Sequence, residues 1–89
     1  MKLEKEKKQR LNQHFAVRVK SYRGRSGLTQ SALGQQLGVS APTICQYEHG
    51  LRLASKRVLS SMRSVFALSD REYVELIHLA SSVDAEPLY

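Results

Sequence analysis

Residues 28–50 carry the side chains of this chain that could do chemistry, and that chemistry is recognition rather than bond-making. They run Leu-Thr-Gln-Ser-Ala-Leu-Gly-Gln-Gln-Leu-Gly-Val-Ser-Ala-Pro-Thr-Ile-Cys-Gln-Tyr-Glu-His-Gly. Apolar groups fall at Leu28, Ala32, Leu33, Leu37, Val39, Ile44 and Tyr47, a spacing that describes two short helices meeting at a sharp angle around Gly38. Such a helix-turn-helix presents its second helix to the major groove of DNA. No catalytic constellation competes with this reading. There is no glycine-rich phosphate loop, no Cys/His pair arranged for nucleophilic attack and no clustered carboxylates, so no enzyme is expected. His14, His49 and His78 lack the spacing of a metal site, and neither metal nor cofactor is expected.

Charge points the same way. The chain has 89 residues, 42% of them hydrophobic, and a formal net charge of +6. Its isoelectric point is near 9.8. That length allows one domain with a modest core, which dimer formation would help to stabilise. A basic balance favours a polyanionic partner. The charge is also uneven: residues 1–25 hold nine Lys or Arg against two Glu, whereas residues 69–89 hold one Arg against Asp70, Glu72, Glu75, Asp84 and Glu86. One end suits phosphates and the other avoids them. The single cysteine, Cys45, excludes an internal disulfide and fits a reducing cytoplasm. No apolar run approaches the roughly 18–20 residues needed to cross a membrane, and the charged N-terminus lacks the apolar block of a signal peptide.

The elements that must position residues 28–50 are helices, because no segment alternates with period two. Residues 1–13 form a basic arm, where Lys2/Glu6 and Glu4/Lys8 could support a helix and fraying is the alternative. Phe15, Val19 and Tyr22 predict helix one over 14–25, with Gly24 and Gly27 bracketing its end. Thr29 caps helix two, residues 30–37, which Gly38 ends. Ser40 caps helix three, residues 41–48, with Pro42 tolerated in its first turn and Gly50 at its close. Ser55 caps helix four, whose apolar face is Val58, Leu59, Met62, Val65 and Phe66. Ser69 and Glu72 make the capping-box pattern that opens helix five. The expected domain spans 14–82, followed by a short acidic tail, 83–89, that does not continue the helix.

The pattern Gly27-Leu28-Thr29-Gln30, Leu33-Gly34, Leu37-Gly38-Val39-Ser40, Ile44 and Tyr47-Glu48-x-Gly50 resembles the Cro and phage-repressor helix-turn-helix family, also called Xre. The resemblance covers roughly residues 14–78. It implies an all-α, five-helix, lambda-repressor-like DNA-binding domain with the helix-turn-helix at helices two and three. It also implies that Ala41, Pro42, Thr43, Cys45 and Gln46 form the outward, base-contacting face of the recognition helix, with Ile44 and Tyr47 turned inward. Gln30 matches a residue that holds a phosphate at the positive end of helix two. His49, Arg52 and Lys56 match a phosphate-contacting loop and helix start. Arg23 and Glu48 match a structural ion pair, with a phosphate contact from Arg23 still open.

Three residues depart from the family pattern. Ala54 stands where proline is frequent, Gly34 replaces the commoner alanine at a propensity cost of up to about 1 kcal/mol, and Cys45 sits where a polar residue is usual. On the reading face only Gln46 can make a bidentate amide contact to adenine; Ala41 and Pro42 suit a thymine methyl, and Thr43 can do either job. DNA shape and phosphate contacts must supply the rest. Cys45 reads as a small residue tolerated at the DNA surface rather than a redox switch.

Helix five carries a wide apolar surface, Tyr73, Val74, Leu76, Ile77 and Leu79, which suggests a two-fold dimer contact; packing within one protomer is the alternative. The expectation is a cytoplasmic, nucleoid-associated transcription regulator, a dimeric repressor on a palindromic double-stranded operator, with no small-molecule effector. The competing reading is a protein-interaction module, adaptor or antitoxin-like, with weak or non-specific DNA binding.

Overall fold

The computed structural model describes the backbone of residues 2–85 and the side chains of residues 13–80. Five helices follow one another: α1 (Lys2–Ser26), α2 (Gln30–Leu37), α3 (Ala41–Glu48), α4 (Lys56–Val65) and α5 (Asp70–Ala85). The described residues contain no strand, and the fold is the expected all-α, lambda-repressor-like one. Helices two and three occupy the residues that their spacing predicts. Helix one differs: it begins at Lys2 and runs through Gly24 to Ser26. Helix five continues past residue 82 to Ala85, since no helix breaker precedes Pro87. The side chains of residues 1–12 in the basic arm, and residues 86–89 of the acidic tail, lie outside the described residues.

The starts of α2, α3, α4 and α5 are fixed by the side chains expected there. Thr29 Oγ1 accepts from the Ala32 N–H at 3.0 Å, Ser40 Oγ from Thr43 at 3.3 Å, and Ser55 Oγ from Val58 at 3.3 Å. The capping box forms in both directions: the Glu72 N–H donates to Ser69 Oγ at 3.2 Å, and the Ser69 N–H to Glu72 Oε1 at 3.1 Å.

Helical spacing then gathers one core. Phe15, Val19 and Tyr22 of α1 meet Leu33 and Leu37 of α2, Ile44 and Tyr47 of α3, Val58, Leu59 and Met62 of α4, and Leu76 and Ala80 of α5. Helix α1 packs on α3 and α5, while α2 packs on α3 and α4. The Phe15 and Tyr47 rings meet edge to face with centroids 6.2 Å apart, which fastens α3 to α1. Ala54 is buried and Leu53 packs against the core, so the loop between α3 and α4 is anchored by its own side chains.

Four helix ends share one geometry. Gly27, Gly38, Gly50 and Ala67 have positive φ. The next N–H in each case donates back across the turn: Leu28 to the Arg23 carbonyl at 3.3 Å, Val39 to Gly34 at 2.9 Å, Leu51 to Gln46 at 2.9 Å and Leu68 to Arg63 at 3.0 Å. These bonds satisfy carbonyls that a helix end would otherwise leave open. Three of the four left-handed positions are glycine. Ala67, at φ +53°, carries a Cβ where that backbone is strained by about 1–2 kcal/mol.

Gly34 is needed for a different reason. It lies inside α2, where the turn into α3 crosses its Cα. A Cβ built there would stand 2.6 Å from the Val39 carbonyl oxygen and 3.3 Å from the Ser40 carbonyl carbon, both backbone. The missing methyl is what lets the two helices of the motif approach. Propensity alone makes Gly34 a cost, whereas the packing makes it a requirement.

Two substitutions test these backbone arguments by thermal unfolding followed by circular dichroism. Ala67→Gly should stabilise the domain by about 0.5–1 kcal/mol, because relieved strain exceeds the added chain entropy; an unchanged or lower midpoint would refute the strain. Gly34→Ala should destabilise by about 1–3 kcal/mol, the cost of overpacking against backbone. Helix propensity alone predicts the opposite sign.

Candidate nucleic-acid interface

Helix α3 turns Ile44, fully buried, and Tyr47, 3% exposed, into the core. At 100° per residue, Pro42, Cys45, Gln46 and the flanking His49 fall on the opposite side, with Ala41 and Thr43 at its margins. Pro42, Gln46 and His49 are exposed, and Ala41, Thr43 and Cys45 are partly so. Of the five residues expected to meet bases, Pro42, Cys45 and Gln46 thus lie on the side of α3 away from the core, and Ala41 and Thr43 at its edges. Their hydrogen-bonding capacity is unequal. Among the described residues no partner engages the Gln46 amide, which keeps both donors and its acceptor. Thr43 Oγ1 is already bonded to Ser40 Oγ at 2.8 Å.

Cys45 and His49 come together at the end of α3. Cys45 Sγ lies 3.4 Å from His49 Nδ1, and that same nitrogen lies 2.8 Å from the Cys45 carbonyl oxygen. A carbonyl can only accept, so Nδ1 carries the hydrogen and cannot take a proton from the thiol. The pair is a helix-end contact, not a nucleophile with its base. Their i,i+4 spacing on one helix was the signal available in the sequence.

A charged junction holds α3 at its angle. Arg23 Nε and Nη2 donate to the two Glu48 carboxylate oxygens at 2.6 and 3.0 Å, and Nη1 donates to the Leu28 carbonyl at 3.0 Å. Gln30 Nε2 donates to Glu48 Oε1 at 3.2 Å. The Glu48 side chain is 3% exposed. Burial pushes its carboxyl up, but hydrogen bonds from Arg23 and Gln30, with the nearby charges of Arg23 and Lys20, outweigh this and hold it below the usual carboxylate range. The ion pair expected between Arg23 and Glu48 is therefore present. Gln30, expected on a phosphate, is part of the same junction; its Nε2 has one further hydrogen to give.

Three further ion pairs form, and Arg71 of α5 is exposed and in no ion pair among the described residues. Arg18 pairs with Glu75 at 3.1 Å, Arg25 with Glu72 at 2.9 Å, and Arg63 with Asp70. These acids all belong to α5. Around α3 the cations have no such partners: Lys20, Arg52, Lys56 and Arg57 are exposed and form no ion pair among the described residues. Arg52 and Arg57 reach the Tyr47 hydroxyl electrostatically, opposing the upward push that burial gives it. Arg57 Nη1 also stands 3.9 Å from the position a Cβ on Gly38 would take. Arg52 and Lys56 were expected here. Lys20 and Arg57 were not expected here, since neither matches a position that the family pattern marks and only the packing of α1 and α4 brings them near α3.

The apolar residues of α5 do not form one open face. Leu76 is 1% exposed and belongs to the core of its own protomer, which removes it from the expected dimer contact. Ile77 and Leu79 pack partly against the core. Tyr73 is partly buried under the Arg63 guanidinium, 4.9 Å from its ring centroid. Val74 is open at 62%, as is Val17 of α1 at 63%. A groove of about 280 Å³ runs here between Arg18, Val74, Glu75, His78 and Leu79. Among the described residues no three His, Cys, Asp or Glu come together to hold a metal ion. No described helix is long and apolar enough to cross a membrane.

Comparison with protein-family models matches residues 14–76 to a model described as a helix-turn-helix domain. Comparisons with curated proteins and with solved structures gave no match.

The depressed Glu48 and Glu72 carboxyls set an acid limit to stability. Their folded values lie below the unfolded one, so the stabilisation is full above the unfolded value of about 4.3 and is lost as pH falls through the folded values. Melting temperature should stay level down to about pH 5 and fall below it. Glu48→Gln should lower stability at neutral pH by about 1–3 kcal/mol and flatten the acid fall. An unchanged acid limb in the variant would show that the junction does not carry it.

Proposed function

The chain belongs to a helix-turn-helix domain family of the Cro-like kind, and on that premise we propose that it is a sequence-specific transcription regulator of double-stranded DNA, a dimeric repressor that inserts α3 into the major groove. The observation that carries this reading is the clustering of charge: Lys20, Arg52, Lys56 and Arg57, which form no ion pair among the described residues, border α3, while Asp70, Glu72 and Glu75 of α5 are paired with Arg63, Arg25 and Arg18, which leaves Arg71 as the one described cation on that helix. A helix with its apolar side fixed in the core and a rim of free cations meets a phosphate-lined groove with the right charge.

Within the groove the roles differ by residue. Gln46 reads an adenine through its free amide, and Ala41, Pro42, Thr43 and Cys45 offer mainly carbon surface, suited to thymine methyl groups. Gln30, at the first position of α2, offers its remaining amide hydrogen to a phosphate alongside the helix N-terminus. His49, Arg52 and Lys56 border the following phosphates, with Arg57 added to the set; Arg23 is committed to Glu48 and Leu28 and acts by position. One such reader makes few direct base contacts. Two copies joined by a two-fold axis would read two half-sites and gain affinity by linkage. The exposed Val74, with Tyr73, Ile77 and Leu79 at its margins, is the surface we assign to that contact. Occupying a palindromic operator then blocks it to other proteins, in the cytoplasm on the nucleoid.

Fluorescence anisotropy with short duplexes from the DNA flanking the gene, against a scrambled control and at two salt concentrations, tests the reading. A preferred duplex should outcompete the control by about 10³ or more, bound by two protomers. Gln46→Ala should cost about 1–3 kcal/mol on that duplex and relax its selectivity. Arg52→Gln should weaken both duplexes alike and lower the salt slope by about one. Equal, weak binding to every duplex would overturn sequence reading, and a variant at Gln46 as selective as the parent would overturn the placement of the face.

A further inference from the structure

Leu51 is 75% exposed, the most open large apolar side chain among the described residues. The other two, Val17 and Val74, belong to α1 and α5; Leu51 alone follows α3. The backbone around it is fixed. Its own N–H donates to the Gln46 carbonyl at 2.9 Å, and the Gly50 N–H donates to Tyr47 at 3.3 Å. Gly50 turns the chain with φ +71°. On the far side Leu53 packs against the core and Ala54 is buried within it. The loop is therefore pinned at both ends while the side chain between is held in water.

We propose that Leu51 is a DNA-contacting residue that packs on the carbon face of a deoxyribose, between the phosphates bordered by His49 and Arg52. The inference rests on the DNA-binding reading above and deepens it. His49 and Arg52 are both exposed, and neither forms an ion pair among the described residues. An isobutyl group between them gains only where it leaves water. Between successive phosphates of one strand the backbone offers the C–H edge of the sugar. Base edges are met by the N-terminal part of a recognition helix, and Leu51 lies beyond the C-terminus of α3, on the side of the strand. A sugar contact is the same for every base and carries no charge. It therefore adds affinity without sequence preference and without salt dependence, unlike the base contacts of Gln46 and the phosphate contacts of Arg52 and Lys56.

Leu51→Ala in the full chain tests this by anisotropy on a preferred and a scrambled duplex across a salt series, and on a preferred duplex with uracil replacing thymine. At 75% exposure the substitution should leave the melting temperature unchanged, which separates binding from folding. The expected result is binding weaker by about five- to tenfold on all three duplexes, with the slope against salt unaltered. Affinity within about twofold of the parent would overturn the contact. So would a loss confined to one sequence or removed by uracil, which would place Leu51 on a base, or a lowered salt slope, which would make it a prop for Arg52. A parent chain that binds no duplex would fail the DNA-binding reading itself, whereas a parent that binds and a variant that binds equally well fails only the assignment of Leu51.

Discussion

The bidentate contact between Arg23 and Glu48 joins the end of α1, the loop at Leu28 and the end of α3, and Gln30 brings the start of α2 to the same carboxylate. Glu48 sits at a helix C-terminus, where the backbone dipole disfavours a negative charge, and its side chain is almost wholly out of water. Neither condition is tolerable without the guanidinium. A buried pair of this kind contributes little net stability against apolar substitutes, but losing one partner is costly. Its value lies in geometry: planar two-point contact fixes the angle at which α3 leaves the core, more narrowly than the Phe15–Tyr47 ring contact could alone.

That angle is also set from the other side, by backbone. The turn between α2 and α3 passes so close to Gly34 that the Val39 carbonyl oxygen occupies the space a Cβ would need. The Val39 N–H returns to the Gly34 carbonyl in the same step. Thus a glycine that looks like a weakness in a short helix is where its two helices come into contact. The Ser40 cap then starts α3 without a gap, and the loop after α3 is drawn back to the core by Leu53 and Ala54. Recognition by a rigid helix needs such over-determination, because a reading face must arrive preformed.

Charge is distributed to match. Asp70, Glu72 and Glu75 of α5 pair with arginines of α1 and α4, which fastens α5 across the bundle. Among the described residues the cations left over are Lys20, Arg52, Lys56 and Arg57, about α3, and Arg71 on α5 itself. Surface ion pairs of this sort are individually weak; here their consequence is to decide which face carries the net positive field.

The sequence by itself determined the elements. Hydroxyl caps at Thr29, Ser40 and Ser55, the box at Ser69 and Glu72, and apolar residues three and four apart are local signals, and a helix is a local structure; α2 and α3 begin and end where those signals put them. The inward pair Ile44 and Tyr47 and the partnership of Arg23 with Glu48 were legible from the resemblance of residues 14–78 to a known pattern. Tertiary structure decided what depends on approach between distant segments. Gly34 reads as a propensity cost until the turn crosses it. Leu76 and Val74 look alike in sequence, yet one is sealed by α5 packing on the bundle and the other faces water. Lys20 and Arg57 join the α3 face only because α1 and α4 are folded against the same core, and Gln30 finds Glu48 across 18 residues of chain. Periodicity fixes which side of a helix is apolar; only packing fixes what that side, and the one opposite, will meet.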